Sequence, residues 1–197
     1  RLLRCPVLIY LPDIVPGGAG HLRKHRHQRA AVYFDASLDY FAPGKAVVTG
    51  YPVRAALCTV DRTDARQRLG LDAGLKTVLV FGGSRGAHSI NAAVNEVLEP
   101  LLDLAQVIHI AGEEDIVELQ RRRRELPTGC RERYHVHAYL HEGMTDALLA
   151  ADLAVARAGA ATLGEFASVG LASIQVPYPY SGQHQQANWQ AEGCGTR

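Results

Sequence analysis

Several common signatures are missing from this chain. Its four cysteines (Cys5, Cys58, Cys130 and Cys194) are scattered with no CxxC pair. That points to a reducing compartment and away from a zinc site or a disulfide framework. No apolar run approaches the roughly 18 residues that span a bilayer, and no signal-peptide pattern is visible. The formal net charge is only +1, so no overall field gathers nucleic acid, which is excluded as a partner. There is no Walker A loop and no GxGxxG spacing, and no acidic residue ends a second strand at a distance of about 20 residues; together these set aside a NAD-type dehydrogenase. Internal repeats and low-complexity tracts are absent. What remains is an ordinary globular balance, 47% hydrophobic and 21% charged over 197 residues, enough for one large domain or parts of two.

The richest stretch is GGSRGAHSIN, from Gly82 to Asn91. It follows the apolar run Thr77–Phe81, which reads as a strand buried on both faces, as in parallel sheets. A helical apolar spacing follows from Ala87 to about Leu104. A strand, a glycine turn and a helix in that order aim backbone N–H groups and the positive end of a helix dipole at one point, which suits a phosphate. Gly82, Gly83 and Gly86 would permit φ > 0 and close ligand approach, and Ser84 adds a hydroxyl donor. A plain strand-to-helix turn is the competing reading.

Strand and helix patterns alternate along the whole chain, which predicts right-handed βαβ units and parallel sheets. The strands are placed at Val7–Leu11, Ala31–Phe34, Ala46–Thr49, Thr77–Phe81, Gln106–Ile110, Tyr134–Ala138, Asp152–Ala156 and Ser173–Val176. The helices are placed at Gly20–Arg29, Asp61–Leu69, Ala87–Leu104, Asp115–Leu126, Gly143–Ala150, Thr162–Val169 and Gln183–Glu192. A boundary is expected at Gly50-Tyr51-Pro52. Residues 1–51 then form the last part of a first α/β domain, and residues 52–197 form a second, nearly complete one. Both ends read as cut, since a strand opens almost at once and the chain stops directly after an amphipathic stretch.

A second small-residue turn, Arg157-Ala158-Gly159-Ala160-Ala161, leads from a strand into a helix starting near Thr162. It is again suited to an anion. Glu165, one turn in, could accept two hydrogen bonds from the vicinal hydroxyls of a ribose. Thr162-Leu163-Gly164-Glu165 also reads as a capping box, with the Glu satisfying a backbone N–H. The two readings are not exclusive. Gln185 and Asn188 lie three apart at the start of the last helix, where paired amides can fix sugar hydroxyls or form a solvated first turn.

Taken in order, TGYPVR (Thr49 to Arg54), GGSRGA (Gly82 to Ala87), RAGAATLGE (Arg157 to Glu165), VPYP (Val176 to Pro179) and HQQAN (His184 to Asn188) resemble the MurG family of bacterial glycosyltransferases over nearly the whole chain. The resemblance implies an α/β GT-B fold of two Rossmann-like parallel-sheet domains, the first only partly present. It implies a hexosyltransferase that moves N-acetylglucosamine, with inversion, from UDP-N-acetylglucosamine to undecaprenyl-diphosphate-linked muramyl-pentapeptide in peptidoglycan synthesis. It further implies a peripheral protein at the cytoplasmic face of the bacterial membrane, whose partners are a UDP-sugar, a lipid-linked acceptor and an anionic membrane surface.

Residue by residue, Arg54 would sit at the interdomain hinge near the donor. Ser84, with the N–H groups of Gly83, Arg85 and Gly86, would contact the diphosphate. Leu140 would hold the uracil through backbone groups, and Glu165 would hold the ribose hydroxyls. Gly159, Ala160 and Thr162 would line the second turn. Gln185 would touch the sugar hydroxyls, with Asn188 beside it. No cofactor beyond the donor substrate and no metal are implied. The catalytic base is unknown and is expected in a glycine-rich acceptor-domain loop upstream of Arg1.

The chain departs from the family pattern at three places. Tyr10-Leu11-Pro12-Asp13 stands where the family has His-Glu-Gln-Asn, Tyr51 stands for an Asn, and Ala156 stands for a Ser. The first lies on the acceptor side. It motivates one alternative, a UDP-sugar transferase with a different lipid or small-molecule acceptor; a second alternative is a non-catalytic donor-binding subunit, against which the strands before Gly50 argue.

Other features read as structural. His21 and His25 are spaced i, i+4 but lack a third ligand, and HLRKHRHQR reads as a basic solvated face, one that could lie near anionic lipid heads. Arg121 to Arg124 cannot all point one way from a helix. His135 and His137 alternate on one strand, and Trp189 packs the last helix.

Overall fold

Every strand pair among the described residues is parallel, as the strand–helix alternation predicts. The computed structural model describes residues 7–15, 28–83 and 87–178. The chain divides into two compact units, Arg1–Pro52 with Ala158–Gly164 and Pro177–Arg197, and Val53–Arg157 with Glu165–Val176.

In the second unit, strands β4 (Lys76–Phe81), β5 (Ala105–Ile110), β6 (Tyr134–His137), β7 (Leu153–Ala156) and β8 (Ala172–Gln175) form one sheet in the order β6-β5-β4-β7-β8. β5 is buried along its whole length, and β4 from Thr77 onward, which explains their near-continuous apolar runs. Alternate side chains of these strands feed two cores. Leu79, Phe81, Ile108 and Ile110 face one side, together with Ala147, Leu148 and Phe166. Val78, Val80 and Val107 face the other, together with Ile90, Val94, Leu98 and Leu102. The unit is therefore a sheet sandwiched between two helix layers, a Rossmann-like arrangement.

The helices are α1 (Arg62–Arg68), α2 (His88–Glu96), α3 (Leu98–Leu104), α4 (Ile116–Glu125), α5 (Thr128–Glu132), α6 (Met144–Ala150) and α7 (Ala160–Val169). α1 is capped by Asp61, whose carboxylate accepts the Thr63 N–H at 2.7 Å. Asp152 fixes α1 to the sheet. It receives Arg62, Arg66 and Lys76 at 2.8, 2.7 and 3.2 Å and the Thr77 N–H at 2.9 Å. Burial works against its ionised form, but these donors outweigh burial and hold its carboxyl below the usual range.

Two expectations are corrected. The single helix expected over Ala87–Leu104 is two, α2 and α3, broken at Val97. Pro100 is the cause: it has no N–H to give the Glu96 carbonyl and its ring crowds that carbonyl, so Pro100 fits only in the first turn of a new helix. In the first unit, the strand expected at Ala31–Phe34 is β2 (Gln28–Val32), so the last two residues of the helix expected at Gly20–Arg29 are strand. β2 is the middle strand between β1 (Val7–Leu11) and β3 (Ala46–Val48). Its bounds follow its backbone partners, from Val7↔Gln28 to Leu11↔Val32, rather than its apolar residues. The remaining residues of Gly20–Arg29, and the helix expected at Gln183–Glu192 with Trp189, lie outside the described residues.

The first unit also brings together two of the family departures. The Tyr10 hydroxyl donates to the Gly50 carbonyl at 3.2 Å. The Tyr51 ring lies edge-on to Tyr10 and to Tyr33, with centroids 6.3 and 5.8 Å apart. Tyr51 also packs against Gly164, where a methyl group would overlap its Cβ and Cγ. Tyr10 and Tyr51 are thus one packed feature, not two independent changes.

Candidate functional site

The order of the strands defines where a ligand fits. From β4 the chain winds outward to β5 and β6, then crosses back to β7 on the other side of β4. The β4–β7 boundary is a topological switch point, and open α/β sheets bind ligands in the crevice beyond the carboxyl ends of the strands there. Phe81 pairs with Ala156 at those ends. Both small-residue turns singled out in the sequence therefore leave the same edge of the sheet from adjacent strands.

The first turn runs from Phe81 through Gly82 and Gly83 toward α2. Gly83 has φ +94°, a conformation open to glycine and costly for other residues. Ser84, Arg85 and Gly86 lie outside the described residues, as do Gln185 and Asn188. From the end of β7, Arg157 reaches back to α2. Its guanidinium donates to the Ser89 hydroxyl on α2 at 2.7 Å and to the Val176 carbonyl after β8 at 3.3 Å. Arg157 was not among the expected site residues. Its only sequence signal was membership of the RAGAATLGE run.

Arg54 and Glu165 meet directly. The Arg54 guanidinium lies 2.9 Å from Glu165 Oε1, with the Glu side chain 11% exposed and the Arg side chain 47% exposed. Helix α7 starts at Ala160, and the Leu163 N–H bonds the Gly159 carbonyl at 3.1 Å, which puts the cap at Gly159. Thr162 lies inside the first turn rather than ahead of it, so the capping-box reading of Thr162 and Glu165 is corrected: Glu165 is ion-paired to Arg54. Phe166, next to it, packs edge-on to Phe81 of β4 with centroids 6.0 Å apart, which fixes this part of α7 on the sheet. Gly159, Ala160 and Thr162 belong to the other unit. Leu140 sits in the loop leaving β6, half-buried against the core, so its backbone is at the same carboxyl edge but two strands from β4.

A polar chain that sequence reasoning missed, exposed at His88 and buried at Asn91, His109 and Tyr134, supports the start of α2. His88 Nδ1 lies 2.9 Å from Asp115 Oδ1, and the Asn91 amide donates to Asp115 Oδ2 at 2.7 Å and to the Ala111 carbonyl at 2.8 Å. Asn91 Oδ1 lies 2.9 Å from His109 Nε2, and His109 Nδ1 lies 2.8 Å from the Tyr134 hydroxyl. Because Asn91 Oδ1 only accepts, Nε2 of His109 carries the proton and Nδ1 accepts from Tyr134. His109 is fully buried, and burial pushes its pKa down to about 4. His88 is raised by its bond to Asp115.

Among the described residues no helix is long and apolar enough to cross a membrane. His21 and His25 lie outside the described residues.

Comparison with known proteins agrees with this geometry. The profile of the Glycosyltransferase family 28 C-terminal domain matches residues 77–192. Two relatives bear the name UDP-N-acetylglucosamine--N-acetylmuramyl-(pentapeptide) pyrophosphoryl-undecaprenol N-acetylglucosamine transferase. The protein of Roseiflexus sp. is 39% identical over 96% of this chain and 51% of its own length. That of Thermodesulfovibrio yellowstonii is 34% identical over 95% and 51%. The crystal structure of Acinetobacter baumannii MurG superimposes with a TM-score of 0.62 and 27% identity, over 95% of this chain and 50% of that one. The chain thus spans about half the length of the relatives it matches. The fold is the α/β GT-B type with a Rossmann-like parallel sheet, as the sequence resemblance implied. The chain belongs to the glycosyltransferase family 28 C-terminal domain family.

Proposed function

We propose that this chain carries the donor half of an inverting N-acetylglucosaminyltransferase. It takes N-acetylglucosamine from UDP-N-acetylglucosamine to undecaprenyl-diphosphate-linked muramyl-pentapeptide for peptidoglycan synthesis. Residues 52–197 are the donor domain, and residues 1–51 are the tail of the acceptor domain. The observation that carries the reading is the switch point between β4 and β7, with a glycine turn leaving β4 on one side and Arg157, at the end of β7, bonded to Ser89 of α2.

In this reading the UDP diphosphate lies against the N–H groups of Gly83, Ser84, Arg85 and Gly86 at the start of α2. Charge develops on that diphosphate as the glycosidic bond breaks, and N–H donors aimed at it stabilise it. One such donor is worth roughly 2.7–4 kcal/mol in comparable sites. The transfer then proceeds in one displacement, without a metal or other cofactor supplied by the protein. Glu165 accepts the ribose hydroxyls. Arg54 engages only Oε1 of that carboxylate, and a carboxylate accepts several hydrogen bonds, so Arg54 can orient Glu165 while the ribose binds. Backbone groups of Leu140 hold the uracil, Gly159, Ala160 and Thr162 line the second turn, and Gln185 and Asn188 bind the sugar. The base that deprotonates the acceptor is assigned to the acceptor-side half. The protein works peripherally at the cytoplasmic face of an anionic membrane.

A second reading keeps the donor and changes the acceptor. It is favoured by the Tyr10–Asp13 departure on the acceptor side, where Tyr10 packs with Tyr51, itself a departure. Calorimetric titration of the 197-residue chain with UDP-N-acetylglucosamine, UDP-glucose and UDP tests the shared donor claim. A preference for the N-acetyl sugar is expected. Failure of the folded chain to bind any uridine nucleotide would overturn both readings.

A further inference from the structure

The run Arg121 to Arg124 has no part in the donor site, and the structure splits it in two. Arg121 pairs with Glu125 at 2.9 Å and Arg122 with Glu99 at 2.6 Å. Arg123 and Arg124 have no ion-pair partner among the described residues. They line a cavity of about 370 Å³ on the outer edge of the sheet, together with Gln120, His135, Val136 and His137. Arg123 is held there by its Nε–H bond to the Tyr134 carbonyl at 2.6 Å, so its terminal N–H groups are positioned in advance.

The lining holds two guanidinium groups, two imidazoles and one amide, and no carboxylate. Guanidinium bonds phosphate oxygens in a bidentate, charge-assisted way, and the imidazole N–H and the amide add donors from other directions. α4 supplies one wall and β6 the other, so the donors converge from two elements. β6 is the edge strand, separated from β4 by β5, which sets this cavity apart from the switch point.

The geometry points to a second anion site here: the cavity between α4 and β6 binds a phosphate group through Arg123, Arg124, His135 and His137. The group belongs either to a small soluble phosphate or to a lipid headgroup. Burial lowers both imidazoles, Arg123 lowers both further, and His137 also lowers His135. The charged groups around them are Arg123 and Arg124 of α4 on this side. On the far side of His135 are Asp72, Glu132 and Arg133, which line an adjacent cavity of about 230 Å³. A bound dianion offsets the two arginines, so binding raises both imidazole pKa values and tightens as they take up protons.

The test is proton NMR of the His135 and His137 ring resonances in the 197-residue chain, titrated with inorganic phosphate at constant ionic strength. Wild type, Arg124→Ala and Arg124→Glu are compared, Arg124 being an exposed residue of α4. Vesicle co-sedimentation with phosphatidylglycerol and with phosphatidylcholine runs alongside. The site is supported by saturable shifts of both rings and an upward move of their pKa, with binding roughly tenfold weaker in Arg124→Ala and abolished in Arg124→Glu. Phosphate binding alone assigns it to soluble phosphates. Added retention on phosphatidylglycerol that is lost in Arg124→Glu assigns it to headgroups. The same small shifts in wild type and Arg124→Glu, with no vesicle binding, would overturn the proposal and leave these residues as charges that guard a sheet edge.

Discussion

His109 should make the second unit acid-sensitive well above the range where carboxylates titrate. It sits in fully buried β5, bonded to Tyr134 and Asn91, and stays neutral down to about pH 4 instead of its ordinary 6.5. The unfolded chain takes up that proton near 6.5. Between those values the unfolded state binds more protons, so stability rises with pH there and is lost on acidification. The full difference is roughly 3 kcal/mol, most of it lost by pH 4.5. His135 and His137 push in the same direction and His88 in the opposite one. The comparison that isolates His109 is therefore wild type against the double variant Asn91→Leu/His109→Leu, which removes the titrating group together with the amide that accepts its N–H. Urea unfolding at pH 7, 6, 5 and 4.5 gives both curves. The wild-type stability should fall by roughly 2–3 kcal/mol more than that of the variant. Parallel pH slopes would refute the argument, because they would mean that His109 is protonated in the fold or is not closed off from water.

Three further outcomes follow from the packing. Asn91→Leu alone strands the buried His109 N–H and the Ala111 carbonyl, and should cost about 2–5 kcal/mol, more than the double variant costs; a smaller cost than the double variant would contradict the network. Asp152→Ala leaves the buried Thr77 N–H without its acceptor and removes the anion that Arg62, Arg66 and Lys76 share, and should lower Tm by about 5 °C, whereas Asp152→Asn keeps the Thr77 bond and should lose less; equal losses in thermal scans would count against that role. Gly164→Ala forces the Tyr51 ring to move and should destabilise by about 1–3 kcal/mol, a cost that Tyr51→Ala in the same background should relieve.

How much of this was legible in the sequence depended on whether the deciding contacts were local. Thr77–Phe81 and Gln106–Ile110 were readable as strands because burial on both faces leaves an unbroken apolar run. The glycine turn after Phe81 was readable because a turn into a helix needs residues that tolerate special backbone angles. β2 was not readable: Gln28 and Arg29 are strand because β1 lies beside them, and pairing across sequence leaves no local mark. The α2–α3 break was written in Pro100 but was outweighed by the apolar spacing on either side. Glu165 reads as a helix cap as readily as a ribose ligand because the spacing from Thr162 fits a capping box. Its ion-pair partner, Arg54, lies beyond any local window. The His88–Asp115–Asn91–His109 chain was invisible for the same reason, since its links join residues 18 to 27 apart. The family motifs identified the fold through their order along the chain, and the switch point explains that order, because both turns must leave one sheet edge side by side.

The most direct test of the donor assignment is a binding cycle on Glu165. UDP-N-acetylglucosamine and its 2′-deoxyribose analogue are titrated calorimetrically into wild type and Glu165→Ala. If the carboxylate holds the ribose, removing either the hydroxyl or the carboxylate should weaken binding roughly tenfold to a hundredfold. Removing both should then cost little more than removing one, because the same bond is lost. Losses that add independently, or an unchanged affinity in Glu165→Ala, would contradict the account and leave Glu165 as a structural partner of Arg54.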